Sequence, residues 1–288
     1  MVAVWAMNGE NGQLGYRRSG MKGRELTSPG SPRLKAARRL VKRRERERTG
    51  LFLIEGPHAV AAALDHGLRL REVFLVPGFR ARQPDLARRL EEGGWAVWVV
   101  SDVLLRRVAA TEHPQGVVVV AEKPPRGGLP KVGGDFLVLA LDGVSDPGNV
   151  GTCVRAADGF GARAVVLGAG CCDPYNAKAV RASAGSLFSV SVVEVDDLAG
   201  ALGQLRREGA RVVLSDPRAG RAVWEVDLRG PTVVVVGSEA RGASEAVRAE
   251  CDVAASVPLS EGVESLNAAV AASVVLFEAR RQRSVRSR

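Results

Sequence analysis

Two α/β units joined by a short linker are what this sequence predicts, the second built on a parallel sheet. Three observations carry the expectation. Short apolar runs alternate with amphipathic stretches along most of the chain, the pattern of repeated strands and helices. The segment Lys123-Pro-Pro-Arg-Gly-Gly-Leu-Pro-Lys-Val-Gly-Gly134 has the proline and glycine density of a linker and divides the alternation in two. Several strand candidates end in sharp glycine or proline turns that open helices, the mouths at which α/β sheets bind ligands.

Taken in order, residues 1–27 contain glycine, asparagine and serine without apolar periodicity and predict a disordered tail. They lack the apolar stretch of a signal peptide. Residues 31–49 predict a single basic helix opening after Ser31-Pro32, with nine cationic side chains, among them Arg38, Arg39 and Arg43, against Glu45 and Glu47. A solvated face and a nucleic-acid contact explain such a run equally well. Strands are then expected at 51–54, 73–76, 96–100 and 116–121. Helices are expected from Gly56-Pro57 to about His66, over 85–92, and from a Ser101 cap to before Thr111. Together these make a small α/β/α domain over 28–122. After the linker, strands are expected at 136–141, 164–167, 190–195, 212–214, 232–236 and 253–257. Helices fall near 149–160, 175–183, 197–208, 243–249 and 265–283, making a second domain over 135–288 with helices on both sheet faces.

Composition narrows the class. A hydrophobic fraction of 46% supports a core, and no apolar run is long enough to span a bilayer, so a cytoplasmic protein without a membrane partner is expected. Cys153, Cys171, Cys172 and Cys251 form no CxxC pair, and the three histidines are scattered, so no metal site is expected. The net charge of +9 comes mainly from arginine, which suits bidentate phosphate contacts, although a GC-rich genome would give the same bias.

Three strand–turn–helix stretches carry the chemistry. In the first, Asn149 follows the Pro147-Gly148 turn and is expected to cap a helix whose apolar stripe is Val150, Cys153, Val154 and Ala157. Arg155 lies off that stripe. Gly151, four residues earlier, is read as leaving its guanidinium a path toward Asn149. In the second, the apolar strand ending at Val236 turns at Gly237-Ser238 to present Glu239, which can accept hydrogen bonds from a ligand. In the third, the run from Val257 through Leu259 reaches Ser265-Leu266-Asn267. Ser265 is expected to cap the last helix, whose first-turn amides would be free for a ligand. That helix is apolar nearly all round, so burial inside the domain or in a dimer interface is expected. Asparagine occurs at only five positions, two of them Asn149 and Asn267. Nucleotide readings fit poorly. Val166-Leu-Gly-Ala-Gly-Cys-Cys-Asp173 lacks the third dinucleotide-fold glycine, and Ala243 stands where a P-loop needs lysine.

In this order the stretches resemble the motifs of the SpoU (TrmH-type) branch of the SPOUT RNA ribose methyltransferases. The matching residues are Asn149/Gly151/Arg155, Gly237/Glu239/Gly242 and Ser265/Leu266/Asn267. Asp173-Pro-Tyr-Asn176 and the region of Arg181 are similar to the segment between the first two motifs. Phe52 to His58 and His113-Pro-Gln-Gly116 resemble pieces of the ribosomal-protein-L30e-like domain that many bacterial members carry. The resemblance implies an α/β SPOUT domain with a deep trefoil knot, a homodimer completing the reaction centre, and S-adenosylmethionine as cofactor. Val236, Gly237, Ser238, Glu239, Val257, Leu259, Ser265, Leu266 and Asn267 would form its pocket. It implies methylation of a ribose 2′-hydroxyl, with Arg155, Asn149, Glu239, Ser265 and Asn267 at the reaction centre. A guanidinium stays protonated, so Arg155 is read as phosphate clamp and orienter rather than base. Arg38, Arg39, Arg43, Arg155 and Arg181 would contact RNA, with 23S ribosomal RNA expected ahead of transfer RNA. The arginine-rich composition resembles that of actinomycetes, where such enzymes give self-resistance to ribosome-targeting antibiotics; housekeeping modification is an equal expectation. A non-catalytic RNA-binding relative and a nucleotide-using enzyme of another class stand as alternatives.

Overall fold

The computed structural model describes residues 24–125 and 127–284. The first domain contains β1 (Arg24–Glu25), α1 (Pro32–Arg39), α2 (Arg43–Thr49), β2 (Leu51–Glu55), α3 (Pro57–Asp65), β3 (Leu70–Leu75), α4 (Phe79–Arg82), α5 (Pro84–Glu92), β4 (Ala96–Val99), α6 (Asp102–Val108) and β5 (Val117–Glu122). Its sheet runs β1-β4-β3-β5-β2. Strands β1, β4 and β3 are parallel, and β5 pairs antiparallel with both β3 and β2. Part of the segment expected as a tail is therefore a strand. Residues 1–23 lie outside the described residues, but Arg24 and Glu25 pair with Trp98 and Val99 as an edge strand.

The single basic helix expected over 31–49 is two helices, and a buried arginine explains the break. Arg46, 2% exposed, donates to the carbonyls of Leu40 and Val41, both at 2.8 Å. Those carbonyls close α1, so the guanidinium caps one helix from within the next. Nor is the charge as one-sided in space as in sequence. Arg33 pairs with Glu72, Arg48 with Glu45, and Arg43 with Glu47 at 2.6 Å. Burial pushes Arg43 down, but its hydrogen bond to Glu47, the larger effect, holds it above its ordinary value. Arg38 donates to the Arg107 carbonyl, while Arg39 has no acidic partner among the described residues.

The second domain contains β6 (Leu137–Asp142), α7 (Pro147–Gly159), β7 (Ala164–Leu167), α8 (Ala177–Ala182), β8 (Ser191–Glu194), α9 (Leu198–Arg207), β9 (Arg211–Ser215), β10 (Thr232–Gly237), α10 (Glu245–Ala249), β11 (Val253–Ala255) and α11 (Ala268–Ser284). All pairings are parallel, in the order β11-β9-β10-β6-β7-β8. Alternate residues of each strand feed opposite layers. Leu137, Leu139 and Leu141 pack in one core with Val150, Cys153, Val154 and Ala157 of α7 and the small residues of α11. Val138 and Ala140 face the other way, into a core with Leu198, Leu202 and Leu205 of α9 and Val247 of α10. The linker packs too, with Leu129 and Val132 resting on that second core.

The first core continues unbroken into the first domain. Phe52 of β2 meets Tyr175 edge-on at 4.9 Å, and Arg46 grips the buried Asp173 across the seam with two N–H groups at 2.7 Å. Helix α11 is not wholly covered. Ala272, Val275, Leu276 and Ala279 are buried, but Val270 and Phe277 remain 47% and 54% exposed. Among the described residues no helix is long and apolar enough to cross a membrane.

Candidate active site

Strand β10 lies between β9 and β6, and the chain reverses its direction of travel across the sheet at the β6/β10 boundary. Ligand crevices of open α/β sheets form outside the carboxyl ends of strands at such a switch point. All three motif stretches come together there.

At the first, Asp142 ends β6 and Asp146 caps α7, accepting the Asn149 amide at 2.9 Å. Asn149 is therefore inside the first turn, not the cap expected of it. Pro147 takes the first helical position, where its missing N–H costs nothing. Lys178 bonds the other Asp146 oxygen at 3.0 Å. The Asn149 amide and then this lysine hold the Asp146 carboxyl below its ordinary value. Gly151 also has a different task. A Cβ there would lie 2.3 Å from the Ala179 carbonyl, so the glycine lets α7 and α8 touch rather than clearing a path for Arg155. Arg155 is exposed and makes no hydrogen bond or ion pair among the described residues.

At the second, β10 ends in a closed turn in which Ser238 and Gly242 exchange backbone hydrogen bonds of 3.1 and 2.8 Å. A Cβ on Gly237 would sit 2.1 Å from the Gly242 carbonyl carbon, and Gly242 has a φ of 69°, so both positions require glycine. The turn leaves Glu239 exposed at its tip. The Asp142 carboxylate accepts the Ser244 amide at 2.7 Å where α10 begins, fixing the two strand ends together.

At the third, Asn267 rather than Ser265 caps α11. Its side-chain oxygen accepts from the amides of Ala269 and Val270 at 3.0 and 3.3 Å. These amides are consequently not free for a ligand as expected. Asparagine is among the strongest capping residues, so its scarcity in this chain concealed a structural duty.

The three motifs are joined by side chains. Asn267 Nδ2 donates to Asn149 Oδ1 at 3.0 Å, and Asn149 Nδ2 donates to Glu239 Oε1, spanning 118 and 90 residues of sequence. Beside this chain lies a cavity of about 250 Å³. Val236, Gly237, Ser238, Glu239, Val257, Leu259, Ser265 and Leu266 line it, whereas Asn149, Arg155 and Asn267 do not. Sequence reasoning missed the loop after β9, where Asp216 and Arg218 line the wall, together with Arg241 and Arg248. Burial pushes the Asp216 carboxyl up, but the Arg218 amide and the Arg248 guanidinium, 2.5 Å away, outweigh it and hold it below its ordinary value. The missed signal was a further strand ending in an Asp-Pro turn, Asp216-Pro217, as at Asp146-Pro147. Val236, Val257, Leu259 and Leu266 give the cavity an apolar side and Asp216, Arg218, Glu239, Arg241 and Arg248 a charged one, the mixed lining of a small-molecule site, and its volume lies just below the usual range of ligand clefts, about 300–1,000 Å³.

The fold and the site thus define an α/β domain with a cofactor cavity at its carboxyl edge, coupled to a second domain rich in cations. The model of the SpoU rRNA methylase family matches residues 136–277, and that of the MRM3-like substrate binding domain matches 31–119. A 23S rRNA (guanosine-2′-O-)-methyltransferase RlmB of Ralstonia nicotianae is 35% identical over 240 residues, covering 81% of this chain and 96% of the relative. A 23S rRNA (uridine(2479)-2′-O)-methyltransferase of Streptomyces viridochromogenes is 34% identical over 256 residues, covering 85% and 87%. Among solved structures, the SpoU methyltransferase AviRb of Streptomyces viridochromogenes in complex with AdoMet superposes with a TM-score of 0.79 at 32% identity, covering 88% and 98%. The chain belongs to the SpoU rRNA methylase family.

Proposed function

We propose that this protein transfers the methyl group of S-adenosylmethionine to a ribose 2′-hydroxyl of one nucleotide in 23S ribosomal RNA. The hydrogen-bonded chain Asn267–Asn149–Glu239 carries the reading, because it assembles three distant motifs at the rim of one cavity. Relatives matching across both domains are named 23S rRNA 2′-O-methyltransferases, which supports the substrate and is consistent with work in the cytoplasm, where bacterial ribosomes are. On this reading 28–122 recognises RNA, 123–134 links, and 135–288 catalyses.

Val236, Val257, Leu259 and Leu266 would enclose the cofactor and exclude water, while the 237–242 turn, Ser265 and Asp216 supply hydrogen-bond partners. Bound there, S-adenosylmethionine supplies an electrophilic methyl group on a sulfonium, open to in-line attack by an oxygen. Asn149 fixes the target nucleotide, itself held by Glu239 and Asn267. Arg155 would clamp a phosphate beside the target ribose and orient its 2′-hydroxyl, whose proton would pass to solvent late in the step as the carbon–sulfur bond breaks and the neutral thioether departs. Arg38, Arg39, Arg43 and Arg181 extend the contact with RNA.

Arg155 has no bond to the Glu239 cluster of its own chain, and a homodimer would supply the missing approach. Val270 and Phe277 expose an apolar stripe of α11 beside α7, where Phe160 meets Phe277 at 5.9 Å. A second copy seated on that stripe would bring its Arg155 to the first copy's cavity. The reading also includes the trefoil knot. Its support is the course of α11, which leaves the β11 edge, packs on α7, and through Arg283 bonds the Phe136 and Gly230 carbonyls at the far ends of β6 and β10.

Single-turnover methylation of 23S rRNA with labelled cofactor, followed by mapping of the blocked 2′-hydroxyl, tests the proposal. Arg155→Ala is expected to reduce transfer by about 100-fold or more while calorimetry still detects cofactor binding. Unchanged transfer in that variant would overturn the assignment.

A further inference from the structure

Two neighbouring loops wall the charged side of the cofactor cavity, and one side chain joins them. The β10 turn contributes Ser238, Glu239 and Gly242, and the loop after β9 contributes Asp216, Pro217 and Arg218. Strands β9 and β10 run side by side as far as the Val236–Ser215 pair. Past that pair the two loops share no hydrogen bond among the described residues, and Arg248 of α10 is their one polar link. The reaction described above gives Arg248 no part.

The link depends on the shape of the guanidinium. Its Nε donates to the Ala243 carbonyl at 3.0 Å, just past the β10 turn, and its Nη1 donates to Asp216 Oδ2 at 2.5 Å, where the β9 loop begins. Nη2 lies 3.0 Å from where a Cβ on Gly242 would sit, so the fork rests against the turn's glycine. The Asp216 side chain is only 8% exposed, and its other oxygen accepts the Arg218 amide at 2.9 Å. Pro217 supplies no N–H, and the Asp216 carbonyl accepts the Ala219 amide at 3.1 Å, so Asp216 holds the bend of its own loop at two points. A charge-assisted bond to a buried carboxylate is stronger than a neutral one and is screened less than a surface pair. An ammonium on a flexible stem acts as a point charge, whereas acceptors on two separate loops call for a planar fork.

The link also completes a frame. Asp142 at the end of β6 holds the Ser244 amide at 2.7 Å, one residue beyond the carbonyl that Arg248 binds. The carboxyl ends of β6, β10 and β9 are thus tied in turn, the first two by Asp142 and the last two by Arg248. Asp216, Gly242 and Arg248 all line the cavity, so the last tie is part of its wall.

We propose that Arg248 is a positioning residue for the cofactor, a latch that holds the β9 loop against the β10 turn and so sets the width of the cavity. It acts through the Asp216 carboxylate and the Ala243 carbonyl. The inference rests on the methyltransferase reading for the identity of the cofactor, while the latch itself rests on the bonds of Arg248.

The test uses the full chain and the variants Arg248→Gln, Arg248→Lys, Asp216→Asn and the double variant Arg248→Gln/Asp216→Asn. Asparagine at 216 can still accept the Arg218 amide but turns an NH2 group toward Arg248. Calorimetry should find S-adenosylmethionine bound about 10-fold more weakly by Arg248→Gln and by Asp216→Asn, the loss expected for one hydrogen bond to a charged group. Arg248→Lys should be nearly as weak, because it keeps the charge without the fork, and the double variant should be no weaker than the weaker single one. In turnover, KM for the cofactor should rise with kcat and KM for RNA unchanged, whereas a variant that had merely lost folded protein would show a lower kcat at normal KM. Without cofactor, hydrogen exchange should quicken in the 216–219 and 240–244 segments of Arg248→Gln and leave the first domain unaltered. Wild-type cofactor affinity in Arg248→Gln, or full affinity in Arg248→Lys, would overturn the proposal. Failure of the wild-type protein to bind S-adenosylmethionine would instead overturn the reading of function; exchange would still decide the latch, and unaltered exchange in Arg248→Gln would refute it.

Discussion

Replacing Asp173 with alanine removes the carboxylate that Arg46 faces across the seam between the domains. The two side chains are 2% and 4% exposed, and two guanidinium N–H groups share one carboxylate oxygen at 2.7 Å. The other oxygen accepts the Tyr175 amide at 2.9 Å and has Lys123 at 3.9 Å. After the substitution Arg46 keeps its bonds to Leu40 and Val41 but remains a buried charge without a counterion. Breaking such a pair from one side costs about 3–5 kcal/mol, a large share of the roughly 5–15 kcal/mol that stabilises a typical protein. Arg88→Ala is the internal control. Its ion pairs with Asp85 and Glu92 are at the surface, with Arg88 itself 60% exposed, and removing them should cost no more than about 1 kcal/mol. Urea unfolding followed by circular dichroism and tryptophan fluorescence reads both variants, since Trp95 and Trp98 lie in the first domain and Trp224 in the second. Asp173→Ala should shift the first-domain transition to markedly lower urea. If it unfolds within about 1 kcal/mol of the wild type, as Arg88→Ala should, the pair does not hold the domains together.

Three further outcomes follow from the site. The Asp146 carboxyl is held below its ordinary value by the Asn149 amide and Lys178, so its contribution is complete above the unfolded value near 3.8 and is lost as pH falls through the depressed folded value. Thermal unfolding of Asp146→Ala should therefore differ from wild type at neutral pH and converge with it in acid; a pH-independent gap would contradict this. Burial, with smaller contributions from the charges of Glu239 and Cys171, pushes the Cys153 thiol up to about 12, leaving roughly one thiolate in ten thousand at pH 8. Iodoacetamide with mass spectrometry should label Cys153 only on unfolding, and rapid native labelling would refute its placement on the buried face of α7. Gly237→Ala forces a Cβ to 2.1 Å from the Gly242 carbonyl carbon and should weaken cofactor binding by calorimetry at least 10-fold. Mixed with Arg155→Ala, it should regain up to about a quarter of wild-type transfer through heterodimers, whereas inactive mixtures would argue for a site confined to one chain.

Much of the architecture was legible from local pattern. Apolar runs such as Val233–Val236 and Ala164–Leu167 announce covered strands because helices on both faces favour apolar side chains throughout. Glycines at 237 and 242 announce the turn because no other residue fits there. What the sequence by itself determined is which residue types stand at the carboxyl ends of these strands, and in what order. It also misled where a residue has two plausible duties. Asn149 and Ser265 look like helix caps, yet Asp146 and Asn267 take those places, because capping depends on backbone angles that sequence spacing does not specify. The basic stretch 31–49 looks like one helix because nothing local shows that Arg46 turns inward to a carboxylate 127 residues away. Only the tertiary structure decided that Asn267, Asn149 and Glu239 form one hydrogen-bonded chain, and that Asp216 and Arg248 wall the same cavity. Such contacts are set by the order of strands in the sheet and the packing of one domain on the other, which local periodicity cannot encode.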